Sequence, residues 1–242
     1  MIDPRNLSES GVLLVDKPED WTSHDAVNCV RRRFRLKKVG HCGTLDPIAT
    51  GLLVLVLGRA TKLSDRFLNH DKVYSGTLVL GVETDTQDRV GNVIATRDPS
   101  AVTETMVRRE AARFIGPQQQ TPPMVSAVKI DGKKLYEMAR KGQEVERQAR
   151  SITVHDLVID SVSGPCVDFH IHCSKGTYVR TLGADLGRAL GCGAHVSRLR
   201  RLRSGPFSVD EAIAMERIKQ WERDDLFQAM IPLVRAAEYL SS

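Results

Sequence analysis

The chain has 242 residues, of which 41% are apolar and 27% are charged, and its formal net charge is +5 at pH 7. These values are typical of a folded globular protein and exclude an intrinsically disordered chain. No apolar run approaches the roughly 20 residues that a membrane-spanning helix needs, and the amino terminus lacks the layout of a secretory signal. The five cysteines are scattered without paired spacing, which predicts a reduced, cytoplasmic protein.

The first part of the chain predicts two strands with a helix between them. The segment GVLLVDKP, Gly11 to Pro18, has the short apolar run of a buried strand and ends at a proline. Thr22 or Ser23 can cap a following helix, whose apolar residues recur at helical spacing as far as Phe34. The segment LLVLVLG is apolar on both faces, which indicates a central strand.

The middle of the chain predicts strands, one helix and a long irregular excursion. A strand is expected over Lys72 to Gly81, and a turn with a short strand over Asp88 to Thr96. A helical stripe follows and stops at Gly116. The stretch from Gln118 to Arg150 is rich in Pro, Gly and charge, with one short helix expected at 135–139, and it is typical of a substrate-covering loop.

The last part predicts two more strands and two helices. The segments SITVHDLVID and CVDFHIHC alternate as strands, and a tight turn at Gly176 precedes a helix. Ser208 and Glu211 form a capping box that predicts a helix running towards Trp221. Strands and helices follow no strict βαβ rhythm, so the expected fold is α+β (mixed α/β), in a single domain over residues 1–242.

The sequence contains two clusters of cationic residues. RRRFRLKK, Arg31 to Lys38, holds six cations in eight residues, and RLRRLR, Arg198 to Arg203, holds four in six. Such stripes either bind the phosphates of a polyanion or form solvated faces. Aromatic residues make up only 5% of the chain, which argues against single-strand binding by base stacking.

Several common kinds of site find little support. No phosphate-binding glycine motif is present, so a nucleotide cofactor is not expected. A structural zinc site needs four ligands, which usually come as two close pairs. The candidates, His170 with His172 and Cys192 with His195, give one tight pair at most, so the sequence predicts no metal. The two strand histidines are expected on the exposed face of an edge or outer strand. The sequence contains no G-x-S-x-G nucleophile elbow, so a serine hydrolase is not expected.

A carboxylate is the stronger candidate for chemistry. Asp46 in GTLDPIATG precedes a proline, which biases it to an extended conformation. It is either part of an Asp-Pro turn or a half-desolvated carboxylate that needs a cationic partner. Arg180 in SKGTYVRTL could be that partner, or it could be a surface arginine or pair with Asp185.

Five segments together resemble one known family. In chain order they are GVLLVDKPEDWTSHDAV, KVGHCGTLDPIATGLLVLVLGRATKLS, PPMVSAVKIDGKKLYEMARKGQEVER, HCSKGTYVRTLGADLG and GCGAHVSRLRRLRSGPF. They run from about Gly11 to Phe207 and match, in order, segments of the TruB family of tRNA pseudouridine synthases, which the eukaryotic dyskerin proteins also resemble. The ATGLL continuation makes the chain similar to the bacterial members. The resemblance implies the pseudouridine synthase fold, a central, largely antiparallel sheet flanked by helices, with a thumb-like insertion over about residues 117–150.

The same resemblance implies a reaction. Uridine-55 in the T-loop of tRNA is isomerised to pseudouridine without a cofactor, because the base is detached, turned and re-attached within one site. Asp46 matches the family's catalytic carboxylate, and addition to the base, attack on the sugar and proton abstraction all stay open as its role. Tyr74 matches the tyrosine that stacks on the flipped uracil, and Arg180 the arginine that pairs with the aspartate.

Other positions match residues around the substrate. His41 corresponds to the histidine that enters the T-loop, and Tyr178 and Leu199 to residues that line the pocket. Lys17 corresponds to a lysine that is structural or close to the tRNA. Cys42 stands where threonine or serine is commoner, and it is interpreted as a packing residue.

The resemblance also implies partners. The T-stem-loop of tRNA is the expected partner, with no membrane and a monomeric state. The chain stops at Ser242, near the end of the family's catalytic domain, so no carboxy-terminal PUA domain is expected. An RNA chaperone without catalysis and a zinc-dependent hydrolase are the alternatives.

Overall fold

The computed structural model describes residues 10–124 and 145–240, together with two short strands at 129–130 and 133–134. The described residues group into two compact units: unit 1 is drawn from Met1–Val73 and Arg200–Ser242, and unit 2 from Tyr74–Leu199. The helix expected at 135–139 and about half of the excursion from Gln118 to Arg150 lie outside the described residues.

The strands, numbered in chain order, account for much of the described chain. They are β1 (Gly11–Lys17), β2 (Val39–His41), β3 (Ala49–Leu57), β4 (Lys72–Leu80), β5 (Val82–Thr84), β6 (Val93–Thr96), β7 (Gly116–Gln120), β8 (Lys129–Ile130), β9 (Lys133–Lys134), β10 (Arg150–Ser163), β11 (Cys166–Cys173), β12 (Ala194–Ser204), β13 (Phe207–Ser208), β14 (Ile213–Ala214) and β15 (Ile231–Pro232).

The helices are shorter in total than the strands. They are α1 (Ser23–Arg33), α2 (Ser64–Leu68), α3 (Glu104–Ala112), α4 (Val179–Ala189), α5 (Met215–Ile218), α6 (Arg223–Ala229) and α7 (Leu233–Glu238). None of the helices in the described part of the chain combines the length and apolar character needed to cross a bilayer.

Unit 1 is built on a sheet with β3 at its centre. The strand order is β14-β1-β3-β12, and β1 runs antiparallel to β3 with Gly11 opposite Leu57 and Lys17 opposite Gly51. Eight of the nine β3 residues are buried, which explains why the strand has no polar face. The predicted central strand is therefore confirmed.

The α1 helix of unit 1 begins where the sequence predicts. The Thr22 hydroxyl accepts a hydrogen bond from the Asp25 backbone N–H, and the Asp25 carboxylate accepts one from the Thr22 N–H. This reciprocal cap satisfies two donors that the helix itself leaves free. Three arginines in the last turn complement the negative end of the helix dipole.

Unit 2 contains a second set of strands with helices packed on them. The strand order is β12-β4-β11-β10-β7, and β10 pairs antiparallel with both β11 and β7. In α4 eight of the eleven residues are buried, and Gly183 allows the helix to approach Leu78 of β4 closely. The fold is α+β with mixed, largely antiparallel pairing, as the sequence predicts.

Two local predictions are wrong. The capping box at Ser208 and Glu211 exists, but it opens only a three-residue 3₁₀ turn, because Ile213 and Ala214 then pair as β14 with β1. The strand histidines lie on β11, which has β4 on one side and β10 on the other, so the edge position is wrong, although His170 is exposed and His172 half-buried.

Candidate active site

The loop that carries Asp46 joins β2 to β3 in unit 1. Gly43 in this loop and Gly51 near the start of β3 have φ angles of +108° and +95°, which favour glycine. Asp46 is half-buried, and its backbone carbonyl accepts a hydrogen bond from the Ala49 N–H at 3.0 Å. The carboxylate thus sits on a short turn that enters the central strand directly.

Lys17 lies at the end of β1, beneath this loop. It is fully buried, and its Nζ donates to the carbonyl oxygens of Pro18 at 2.8 Å, Trp21 at 2.6 Å and Pro47 at 3.3 Å. Burial lowers the pKa of Lys17 to about 8, while the negative charge of Asp46 acts in the opposite direction. Lys17 therefore holds the residue after Asp46 and interacts electrostatically with the carboxylate.

His41 is the last residue of β2 and is half-buried. Desolvation, followed by the charge of Arg201, lowers the pKa of His41 below its ordinary value of 6.5. Its Nδ1 is buried and has no hydrogen-bond partner among the residues that the structure describes. The imidazole is accordingly neutral at neutral pH.

Ser23 and Arg201 hold the loop, and the sequence predicted neither of them as a site residue. The Ser23 hydroxyl accepts from the Leu45 N–H at 2.8 Å and donates to the Leu45 carbonyl at 3.2 Å. Arg201 donates from Nε to the Leu52 carbonyl at 2.7 Å and from Nη2 to the Gly43 carbonyl at 3.1 Å.

The buried position of Arg201 corrects the interpretation of the second basic stripe, Arg198 to Arg203, as phosphate-binding or solvated. Arg201 is only 1% exposed, so it neither binds phosphate nor lies on a solvated face. Successive residues of a strand point to opposite faces, and Leu199 shares the buried face with Arg201. Arg200, on the other face, forms an ion pair with Asp16 at 2.7 Å.

Cys42 packs in the core of unit 1. It belongs to a cluster of fully buried apolar residues that includes Val54 and Phe67. Burial raises the pKa of the Cys42 thiol to about 12, so the group stays protonated. This supports the packing interpretation of Cys42.

In unit 2 the arginine of the TYVRTL segment is buried. Arg180 is 2% exposed, and its Nη1 donates to the Thr86 carbonyl at 2.7 Å and to Asp88 Oδ2 at 3.3 Å. Asp88 is buried as well and also accepts from the Thr86 hydroxyl at 2.6 Å. No sequence signal marks Asp88, which lies 92 residues from its partner in a segment predicted as a turn.

These contacts test the three interpretations of Arg180. The prediction that it is a surface arginine is wrong, because its side chain is buried. Asp185 forms its ion pair with Arg188 at 2.7 Å. The pairing of Arg180 with Asp46 stays a prediction.

Tyr178 lies at the start of α4 and is held by a side chain that the sequence did not single out. Gln120 accepts from the Tyr178 N–H at 2.8 Å and donates to the Tyr178 carbonyl at 3.1 Å. Tyr74, the third residue of β4, and Leu199, in β12, are both buried. Unit 2 therefore contains Tyr74, Tyr178, Arg180 and Leu199, and unit 1 contains Lys17, His41 and Asp46.

Of the residues considered as metal ligands, His170, His195 and Cys192 have polar protein partners, and the centroid of the His172 ring lies 4.7 Å from that of His155. His170 Nδ1 lies 2.6 Å from Asp160 Oδ2, and His195 Nδ1 lies 2.9 Å from the Val82 carbonyl oxygen. The Cys192 thiol lies 3.4 Å from the Gly193 carbonyl oxygen.

Comparison with known proteins decides the family. Residues 31–179 match the model of the TruB family pseudouridylate synthase N-terminal domain, and residues 180–240 match that of the tRNA pseudouridylate synthase B C-terminal domain. The chain belongs to the TruB family. This membership makes it an enzyme of a pseudouridine synthase family and agrees with the resemblance carried by the five segments.

Individual relatives cover most of this TruB family chain. A tRNA pseudouridine synthase B of Syntrophotalea carbinolica is 48% identical over 94% of this chain and 74% of its own length. One from Opitutus terrae is 46% identical over 98% of both chains.

Solved structures share the fold of this TruB family member. A Cbf5-Nop10-Gar1 complex contains a chain that matches with a TM-score of 0.74 and 30% identity, over 98% of this chain and 64% of that one. An H/ACA RNP bound to a substrate RNA matches with a TM-score of 0.72 and 27% identity, over 97% and 62% respectively. The predicted pseudouridine synthase fold is thereby confirmed.

Proposed function

We propose that this chain isomerises uridine-55 in the T-loop of tRNA to pseudouridine, as a cytoplasmic monomer and without a cofactor. The proposal is supported by relatives named tRNA pseudouridine synthase B, which are 46% to 48% identical over most of the chain. The observation that carries it is Asp46, a half-exposed carboxylate on a loop whose neighbouring residues are held by buried donors.

Asp46 is proposed as the catalytic carboxylate. A carboxylate reacts best when it is ionised and held in a fixed direction. Pro47 restricts the backbone of Asp46, and the Ala49 N–H holds its carbonyl, so the side chain leaves the loop from a defined position. Lys17 lies nearby, and its charge and that of Asp46 interact electrostatically.

His41 is proposed to contact the RNA. Chemistry on a base within a folded loop requires that the base leave its stack, which costs a few kcal/mol. A neutral imidazole can fill the vacated space at a smaller desolvation cost than a cation. The exposed part of this half-buried ring is the part that would contact a nucleobase.

The roles implied for unit 2 are part of the same proposal. Tyr74 stacks on the uracil, Arg180 orients the catalytic carboxylate, and Tyr178 and Leu199 line the pocket. The buried contacts of Arg180 with Asp88 and Thr86 support a fixed direction for its guanidinium group. The double hydrogen bond from Gln120 supports a fixed backbone at Tyr178.

The first basic stripe is proposed to bind the RNA backbone, and we call Arg31 to Lys38 the cationic face. All six of its cations are exposed, and no acidic residue occurs between Asp25 and Asp46. Arg33 pairs with Glu222, and Arg31 bonds to Asn28. The other four cations have no ion-pair partner among the described residues, so they are available for phosphates.

The test uses the full chain and an unmodified tRNA transcript. Pseudouridine is mapped with carbodiimide after incubation with the unchanged protein and with Asp46→Asn. We expect modification at position 55 with the first, and none with the second, because the amide cannot act as a nucleophile or base. RNA binding by Asp46→Asn is expected to persist.

A matched control distinguishes catalysis from a general loss of charge. Asp20 is another carboxylate that acts electrostatically on Lys17, and it is exposed. We expect Asp20→Asn to retain activity within about threefold, as is usual for exposed positions outside the chemistry. Pseudouridine formation by Asp46→Asn would overturn the role of Asp46, and modification at another position would overturn the proposed substrate.

A further inference from the structure

The backbone around Asp46 is held at alternate residues by buried side chains. The carbonyl oxygens of Gly43, Leu45 and Pro47 accept hydrogen bonds from Arg201, Ser23 and Lys17 respectively. All three donor residues are at most 2% exposed. A surface turn needs no such arrangement, because water satisfies its carbonyls at no cost.

Ser23 contacts a residue adjacent to Asp46 in sequence. Its hydroxyl both donates to and accepts from Leu45, the residue directly before Asp46. The cap of α1 is provided by Thr22 and Asp25, so this hydroxyl is not required to begin the helix. Ser23 thus fixes the two peptide groups of Leu45, and with them the direction in which the chain enters Asp46.

Arg201 holds the loop to the strand that follows it. Its guanidinium group bridges the Gly43 carbonyl at the start of the loop and the Leu52 carbonyl in β3. Its own backbone packs against Gly51, where an added Cβ would overlap the Arg201 carbonyl oxygen. A planar group with several donors in fixed directions is suited to hold two acceptors at once, which a lysine is not.

We propose that Ser23 and Arg201 are positioning residues, which act on the reaction by fixing the loop that carries Asp46. The proposal rests on the proposed function, since it requires that Asp46 perform the chemistry. Neither residue needs to touch the RNA. Displacement of a reacting group by about 1 Å lowers a rate by up to about 100-fold, so the loss of either anchor acts on the chemical step.

The experiment compares Ser23→Ala and Arg201→Lys with Thr22→Ala in the full chain. Thr22→Ala is the matched control, because it removes the helix cap next to Ser23 and no contact with the loop. Pseudouridine formation is measured under single-turnover conditions, and binding of the same tRNA transcript separately. Hydrogen exchange of the peptide that contains residues 43–47 reports on the loop itself.

We expect Ser23→Ala and Arg201→Lys to lower the single-turnover rate by about 10- to 100-fold, with the Kd for RNA changed less than about threefold. Exchange of the Leu45 amide is expected to accelerate in Ser23→Ala, since this N–H loses its acceptor. Thr22→Ala is expected to lower the melting temperature but to keep the rate and the exchange of the loop.

Each other result has a definite meaning. Equal rates for Ser23→Ala and Thr22→Ala would overturn the role of Ser23. A rate loss accompanied by an equal loss of RNA binding would overturn a positioning role for either residue. Should Arg201→Lys fail to fold, the exchange and rate measurements on Ser23→Ala decide the proposal alone. Absence of pseudouridine with the unchanged protein would instead refute the proposed function.

Discussion

Among single residues, Lys17 links the stability of the protein to pH. Its pKa is about 8 in the folded protein and 10.5 ordinarily, because burial disfavours the charged form. Between these values the unfolded chain binds one more proton than the folded one, so the free energy of unfolding rises with pH. We expect a rise of up to about 3 kcal/mol from pH 8 to 10.5, measured by urea denaturation.

Two variants isolate the contribution of Lys17. Lys17→Met has no proton to lose, so this part of the rise is expected to be absent from its stability curve. Asp46→Asn removes a charge that raises the pKa of Lys17, and the rise should therefore begin at lower pH. Parallel pH dependences of the unchanged protein and Lys17→Met would contradict the assignment.

At the scale of elements, the approach of β12 to the start of β3 depends on Gly51. This glycine has φ +95°, and a Cβ there would overlap the backbone of Arg201, which cannot move without shifting β12. We expect Gly51→Ala to destabilise the protein by at least about 3 kcal/mol in chemical denaturation, because steric overlap adds to backbone strain.

Gly164 provides the comparison, since it also has a positive φ, of +56°, but no atom lies within 4 Å of an added Cβ. Gly164→Ala should cost only the strain of the left-handed conformation, about 1 to 2 kcal/mol. Similar losses for the two variants would show that overlap with β12 is not what requires glycine at position 51.

The same elements show what could be predicted from the sequence. The strand β3 and the cap of α1 follow from neighbouring residues, so an apolar run predicted the strand, and the sequence narrowed the cap to Thr22 or Ser23. The residues that hold the candidate site depend on contacts distant in sequence. Asp88 lies 92 residues from Arg180, and Arg201 lies 158 residues from Gly43, so no local pattern indicates either pairing. The capping box at Ser208 failed for the same reason, because pairing with β1 ends the turn.

For the molecule as a whole, the net charge of +5 conceals an uneven distribution of cations. The affinity Kobs of an RNA-binding protein falls as salt is added, and the slope of log Kobs against log salt concentration reports the number of phosphate contacts. If the cationic face binds RNA phosphates, each cation lost should reduce the magnitude of this slope by about 0.7 to 0.9. For Arg32→Gln with Arg35→Gln, we expect the slope to fall by about 1.4 to 1.8 and RNA binding to weaken. The measurement is tRNA binding over a series of salt concentrations.

A second pair of arginines separates this local effect from net charge. Arg217 and Arg235 are exposed, lie outside the cationic face and belong to the same unit. Replacing both with glutamine changes the net charge by the same two units, so nonspecific attraction of the whole molecule for RNA falls equally. We expect this pair to leave the salt slope within about 0.3 of the unchanged protein, because the slope counts phosphates in contact with cations. Equal reductions by the two pairs would mean that net charge, and not the cationic face, determines how the protein binds RNA.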